Sequence, residues 1–123
     1  MSKVRGIRGA TTVAVNSKIE ILDATKELLQ RMIELNSIDP NDVAATFFTT
    51  TRDINAEFPA VAARRIGWNQ APLMCGHEMD VPDAQPLCIR VLVMINTEKS
   101  QSDIQNVYLR EAINLRSRGI NDN

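Results

Sequence analysis

The stretch from Cys75 to Asn96 decides how this chain is organised, because it places an acidic loop before a buried strand. The strand reads Leu87-Cys88-Ile89-Arg90-Val91-Leu92-Val93-Met94-Ile95-Asn96, and eight of these ten residues are apolar. Arg90 stands in the middle of the strand. A buried charge without a partner is costly, so its guanidinium must be paired or point into a polar cavity. Glu78 precedes the strand across a loop that contains two prolines. A carboxylate and a permanent cation brought together in this way predict a functional site.

Both faces of the Leu87–Asn96 strand are apolar apart from Arg90, since alternate residues of a strand point to opposite faces. A strand of this kind is covered on both sides. In a chain of 123 residues with two substantial helices, one of these faces can be left for another subunit. The pattern therefore indicates an oligomer.

Length and charge narrow the class of protein. A chain of 123 residues predicts one domain over residues 1–123, and the aperiodic tail from about residue 117 is expected to be mobile. The 14 basic and 15 acidic residues nearly balance, which argues against a nucleic-acid partner. The longest apolar run, Val91 to Ile95, is too short to span a bilayer. The N-terminus lacks the apolar core of a signal peptide, so we predict a cytoplasmic protein.

Periodicity and capping signals predict a mixed sheet with helices. Ser17-Lys18-Ile19-Glu20 fits a capping box and opens the clearest helix, for which Asn36 is a candidate C-terminal cap. Three threonines end a second strand, as is typical of an exposed strand end or a sheet edge. The order of elements predicts a mixed α/β (α+β) domain. The predicted elements are a strand at Val4–Val13, a helix at Ser17–Asn36, a strand at Val43–Thr51, a helix at Pro59–Ile66, strands at Ala71–Cys75 and Leu87–Asn96, and a last helix from near Ser102 through Ala112.

Arginines are the most informative candidates for chemistry. Arg8, Arg64, Arg90 and Arg116 lie on separate elements, and the arginine fork suits carboxylates, so a small anion such as a dicarboxylate is the natural ligand. One histidine and no compact pair of carboxylates give little support for acid-base catalysis. Neither a metal-site pattern nor a phosphate loop is present. From the residues alone, an enzyme and a non-catalytic anion-binding oligomer both remain open.

Several motifs spread over nearly the whole chain resemble those of the monofunctional bacterial chorismate mutases of the trimeric, mixed α/β type. The opening motif and the Glu-Met-Asp-Val segment are specific in combination. The motifs are Val4-Arg5-Gly6-Ile7-Arg8-Gly9-Ala10-Thr11-Thr12, Phe58-Pro59-Ala60, Cys75 with Glu78-Met79-Asp80-Val81, Cys88-Ile89-Arg90-Val91, and Val107-Tyr108-Leu109.

This resemblance implies a homotrimer in which three sheets pack around an axis as a pseudo-α/β-barrel with helices outside. It implies an active site in each cleft between neighbouring subunits. The reaction would be the Claisen rearrangement of chorismate to prephenate, an isomerase step of the shikimate pathway that leads to phenylalanine and tyrosine. The resemblance implies neither a cofactor nor a metal. This agrees with the small number of candidate acid-base residues.

The resemblance also implies a role for each matching residue. Arg90 would stabilise the ether oxygen, while Arg8 and Tyr108 would bind carboxylate. Glu78 and Cys75 would hold the ring hydroxyl. The remaining implied substrate-binding residues wall the cleft or add charge at its mouth, and they are Phe58, Arg64, Leu73, Met74, Leu115 and Arg116.

Two positions depart from the pattern of the resembled family. Val61 stands where some relatives carry a lysine, and Met74 stands where threonine is frequent. The alternatives to a mutase are a small trimeric enamine/imine deaminase, which shares the architecture, and a non-catalytic small-molecule-binding trimer. Turnover of chorismate discriminates among the three.

Overall fold

The computed structural model describes residues 1–117, and the side chains of residues 1–115. The tail predicted to be mobile therefore lies almost wholly outside the described residues. The strands are β1 (Lys3–Thr12), β2 (Val43–Thr50), β3 (Leu73–His77), β4 (Cys88–Thr97) and β5 (Val107–Tyr108). The helices are α1 (Lys18–Asn36) and α2 (Ala60–Arg65), with short 3-10 segments at Pro40–Asp42, Gln101–Asp103 and Arg110–Ser117.

The five strands form one mixed sheet in the order β3-β2-β4-β1-β5. The apolar stretch around Arg90 supplies the central strand: β4 pairs antiparallel with β1 on one side and with β2 on the other. The outer pairs, β2 with β3 and β1 with β5, are parallel. The predicted mixed α/β sheet is confirmed.

Both helices pack on the same face of the sheet. Val91, Val93 and Ile95 of β4 are buried in a core to which α1 contributes Leu28 and Met32, and to which α2 and the turn after it also contribute. Arg90, Leu92 and Met94 point to the other face, which we call the open face. No helix among residues 1–117 is long and apolar enough to cross a bilayer.

The predicted helix α1 is present within one residue of its predicted bounds, but the Glu20 contact and the C-terminal cap differ from the prediction. The Ser17 hydroxyl accepts a hydrogen bond from the Glu20 amide at 3.2 Å, as the capping box predicts. The Glu20 carboxylate, however, accepts from the Ala14 amide at 3.4 Å. At the other end the left-handed cap is Ser37. Asn36 instead is buried, and its side chain bonds both the amide and the carbonyl of Gln105.

The prediction of a last helix is wrong. Val107 and Tyr108 pair with Gly9 and Ala10 as a parallel strand, and 3-10 segments precede and follow them. The Leu109 amide continues this pairing by donating to the Ala10 carbonyl. Helical spacing of apolar residues was a weak signal here, because pairing with a distant strand satisfies the same backbone groups.

The threonine run lies at the end of β2 as predicted, but it is neither exposed nor at a sheet edge. β2 lies between β3 and β4, and Thr50 is buried. The hydroxyls of this run contact the Glu78 carboxylate, the His77 ring and the Cys88 amide.

Gly9 lets β1 approach α1 closely, and an alanine there is expected to be destabilising. An added Cβ would lie 2.5 Å from Met32 Sδ and 3.1 Å from Val91 Cγ1. Met32 is buried but flexible, so part of the clash can relax, and we expect Gly9→Ala to lower the free energy of unfolding by about 1–3 kcal/mol. Urea denaturation measures this change. Gly76→Ala is the matched control, because nothing lies within 4 Å of its added Cβ. Equal stability of the two variants would contradict the packing argument.

Candidate active site

Strand register brings the predicted charged residues together on the open face of the sheet. Arg90 lies opposite Ala10 of β1 and Thr49 of β2, and Ala10 in turn lies beside Tyr108 of β5. Arg8 lies opposite Leu92, and the two form the next pair of β1 and β4 on the same face of the sheet. Paired residues of neighbouring strands share a face. A cavity of about 440 Å³ results, lined by Arg8, Gly9, Ala10, Phe47, Thr49, Glu78, Arg90, Val91, Leu92, Tyr108 and Leu115.

Arg90 and Glu78 form the electrostatic centre of this cavity. Arg90 Nε lies 3.4 Å from Glu78 Oε1, as the pairing argument predicted. The Glu78 side chain is 20% exposed and the Arg90 side chain 47%, so both groups can still reach a ligand. The Glu78 amide donates to the Thr50 carbonyl at 2.9 Å, which attaches the start of the loop to the end of β2.

Arg8 gives the cavity an excess of positive charge. Its backbone amide donates to Asn106 Oδ1 at 2.8 Å, which holds β1 against the segment before β5. Its guanidinium has no acidic partner within 4.0 Å among residues 1–117. Arg5, three positions earlier, instead donates to the Lys99 carbonyl. Two guanidinium groups thus face one carboxylate, an arrangement that suits an anionic ligand.

The other predicted site residues form a second group around β3 and α2. Phe58 and Cys75 line a separate cavity of about 350 Å³ together with Glu57 and His77. Cys75 lies opposite Phe48, which is a core residue, so its side chain is on the helix-covered face. Arg90 is on the open face. One chain therefore holds Cys75 and Arg90 on opposite sides of the sheet.

Arg64, Leu73 and Met74 also lie near this second group. The Arg64 charge acts on the Cys75 thiol: burial raises the pKa of Cys75, while a hydrogen bond from the Ala60 backbone and the Arg64 charge oppose that rise. Leu73 packs against the core, and Met74 is 63% exposed. Of the two predicted tail residues, Leu115 lines the cavity that contains Arg90, whereas the Arg116 side chain lies outside the described residues.

Cys88 is buried beside the cavity, and its thiol is held neutral. Burial raises its pKa to about 11, although the Arg90 charge opposes the shift. A thiol with a raised pKa is a poor nucleophile near neutral pH. We therefore interpret Cys88 as an inert buried residue.

The raised pKa of Cys88 predicts a loss of stability in alkaline solution. The folded chain holds the thiol proton up to about pH 11, whereas the unfolded chain releases it near 9.0. Between these pH values the folded state therefore binds more protons than the unfolded state. The free energy of unfolding falls as pH rises through that window. Urea denaturation of the wild type and Cys88→Ala from pH 8 to 11 measures this. We expect the wild type to lose more stability than the variant, and parallel curves would contradict it.

Six residues that line the cavity were not among the predicted site residues: Gly9, Ala10, Phe47, Thr49, Val91 and Leu92. Leu92 shares strand parity with Arg90, and that signal could have identified it. Phe47 and Thr49 needed the register between β2 and β4, which no local pattern provides.

Comparisons with known proteins agree on one family. The family model of chorismate mutase type I matches residues 4–118. The chorismate mutase AroH of Thermus thermophilus is 47% identical over 114 residues, 92% of this chain and 93% of the relative. The AroH protein of Bacillus subtilis is 44% identical over 114 residues, 92% of this chain and 90% of the relative. A solved chorismate mutase from Clostridium thermocellum superposes with a TM-score of 0.86 at 47% identity, over 87% of this chain and 96% of that one. The chain therefore belongs to the chorismate mutase type I family.

Proposed function

We propose that this chorismate mutase converts chorismate to prephenate in the cavity that contains Arg8, Glu78, Arg90 and Tyr108. The observation that carries the proposal is the arrangement of two guanidinium groups and one carboxylate on the open face of the sheet. Chorismate is a dicarboxylate with a ring hydroxyl, so its charges and its polar group match this set. The rearrangement breaks one C–O bond and forms one C–C bond within a single molecule, and it transfers no proton.

Arg90 stabilises the transition state in this proposal. The ether oxygen of chorismate gains negative charge as its bond to the ring breaks. A donor that is already oriented toward developing charge contributes about 3–4 kcal/mol in comparable oxyanion sites. The ion pair with Glu78 supplies that orientation, since it holds Arg90 before the substrate arrives.

The other polar residues select the reactive shape of a flexible substrate. Arg8 and Tyr108 bind carboxylate, and Glu78 accepts a hydrogen bond from the ring hydroxyl. These contacts hold the enolpyruvyl side chain over the ring, where the two reacting carbons can meet. Leu115 walls the cavity, and Arg116 adds positive charge at its mouth.

A neighbouring subunit completes the site in this proposal. Phe58, Arg64, Leu73, Met74 and Cys75 of that subunit would close the cleft, with Cys75 near the ring hydroxyl. Two observations support an interface. Phe58 is 66% exposed and Met74 is 63% exposed. Large apolar side chains that are exposed in clusters usually mark contact surfaces. On the open face, Phe47 and Leu92 are each 37% exposed, so the part of that face formed by β2 and β4 has little cover from the described part of the chain. A closed homotrimer in the cytoplasm is the assembly we propose.

A chorismate assay tests the proposed function directly. Purified protein is mixed with chorismate, the loss of its absorbance is followed, and prephenate is identified by its acid-catalysed conversion to phenylpyruvate. We expect turnover without any added metal or cofactor. Absence of turnover at every substrate concentration, in a protein shown to be folded, would overturn the proposal in favour of a non-catalytic binding trimer.

A further inference from the structure

We propose that Thr49 is a positioning residue that fixes the Glu78 carboxylate for substrate binding. This inference rests on the proposed function, because it concerns the residue assigned to the ring hydroxyl. In the sequence, Thr49 is only one of three threonines at a strand end. In the structure it lines the cavity beside Arg90.

The Thr49 hydroxyl holds one particular oxygen of Glu78. Thr49 Oγ1 donates to Glu78 Oε1 at 2.5 Å, and Arg90 Nε lies 3.4 Å from the same oxygen. The last torsion of a glutamate side chain is broad, so a single contact leaves the carboxylate free to rotate. The Thr49 hydrogen bond and the Arg90 ion pair on the same Oε1 restrict that rotation. Oε2 is then the oxygen that can accept a hydrogen bond from the substrate.

The main chain at Glu78 is fixed from the same strand end. The Glu78 amide donates to the Thr50 carbonyl at 2.9 Å, and Thr50 Oγ1 lies 3.2 Å from His77 Nδ1. Thr51 Oγ1 accepts from the Cys88 amide at 3.0 Å, where the loop returns to β4. The threonine run thus attaches both ends of the loop that carries Glu78. Thr49 alone among the three bonds the carboxylate itself.

Another threonine of β2, Thr46, provides a matched control. Thr46 is buried on the helix-covered face, and its Oγ1 has no hydrogen-bond partner among the described residues. Valine has nearly the same shape as threonine, so the two threonines provide a matched pair of substitutions. Thr46→Val removes a hydroxyl without a partner, and Thr49→Val removes the one that holds Glu78.

The kinetic experiment compares Thr49→Val, Thr49→Ser and Thr46→Val with the wild type. We expect Thr49→Val to lose about tenfold in kcat/KM, the usual effect of one hydrogen bond to a charged group. Thr49→Ser is expected to keep most of the activity, because it keeps the hydroxyl. Thr46→Val is expected to be as active as the wild type. Unchanged kinetics in Thr49→Val would overturn the proposal.

A double-mutant cycle separates positioning from a general structural effect. In a Glu78→Ala background, Thr49→Val is expected to cause no further loss of kcat/KM, because the group that it positions is gone. An equal tenfold loss in both backgrounds would show that Thr49 acts without Glu78, and this too would overturn the proposal.

A crystal structure of Thr49→Val gives a readout that does not depend on turnover. We expect the Glu78 carboxylate to rotate away from its wild-type position or to occupy more than one conformer. A single wild-type conformer would contradict the positioning role. If the wild type itself fails to convert chorismate, the proposed function fails, and the crystal structure still decides whether Thr49 holds Glu78.

Discussion

Replacing Arg90 with citrulline is expected to lower kcat by at least about 10³-fold, the upper range for loss of one oriented donor to a developing oxyanion. Citrulline keeps the planar shape and most of the N–H groups of arginine but carries no charge. The ground-state ether oxygen has little charge, whereas the oxygen in the transition state has much more. The missing charge therefore raises the barrier more than it weakens the binding of substrate or product.

The measurement for Arg90 has two parts, made on semisynthetic protein. Steady-state kinetics with chorismate gives kcat, and calorimetry gives the affinity for prephenate, which we expect to change by less than about tenfold because the product lacks the developing charge. Arg5 to citrulline is the matched control, since Arg5 donates to the Lys99 carbonyl away from the cavity. Near-normal turnover in the Arg90 variant would falsify the charge mechanism.

The second large effect is the recovery of activity when two inactive variants are mixed. Arg90→Ala removes a residue of the open-face cavity, and a Phe58→Ala, Arg64→Ala double variant removes two residues of the second group. We expect each protein alone to lose at least about 10²-fold in kcat/KM, in line with the loss of oriented binding groups. In a trimer with sites between subunits, an intact site needs one half from each variant. Random assembly of an equal mixture then restores about a quarter of the sites.

A control mixture makes this experiment specific. Arg90→Ala and Arg8→Ala both damage the same cavity, so no subunit in their mixture supplies an intact open-face half. That mixture is expected to stay inactive after unfolding and joint refolding. Recovery only in the first mixture supports shared sites. If the first mixture also stays inactive while sedimentation shows mixed trimers, each site lies within one chain and the proposed interface is wrong.

Local signals were sufficient for the elements with strong patterns. α1 begins and ends within one residue of the predicted bounds, because capping and helical periodicity are set by residues close in sequence. β2 and the central strand β4 were also predicted, since β4 is a nearly continuous apolar run and β2 is rich in β-branched and aromatic residues. The family was recognised from short motifs, and the matching family model covers residues 4–118.

Contacts between distant residues were not available from these signals. Within the segment from Gln101 to Ser117, strand β5 pairs with β1, which is about 100 residues earlier in the chain. The helical periodicity of this segment led to the wrong prediction of a helix. Thr49 binds a carboxylate 29 residues away, and nothing near Thr49 in the sequence indicates that partner.

The sequence by itself placed a cation on an apolar strand with a carboxylate before it, and it predicted a site there. It also determined the sheet-and-helix class and, through its motifs, the family. Only the tertiary structure decided which residues meet. The register of β4 with β1 and β2 puts Arg8, Thr49 and Arg90 on one face, and the register of β2 with β3 puts Cys75 on the other. Strand parity is a local property, but register depends on pairing between distant segments, and a shift by one residue would move every side chain to the opposite face.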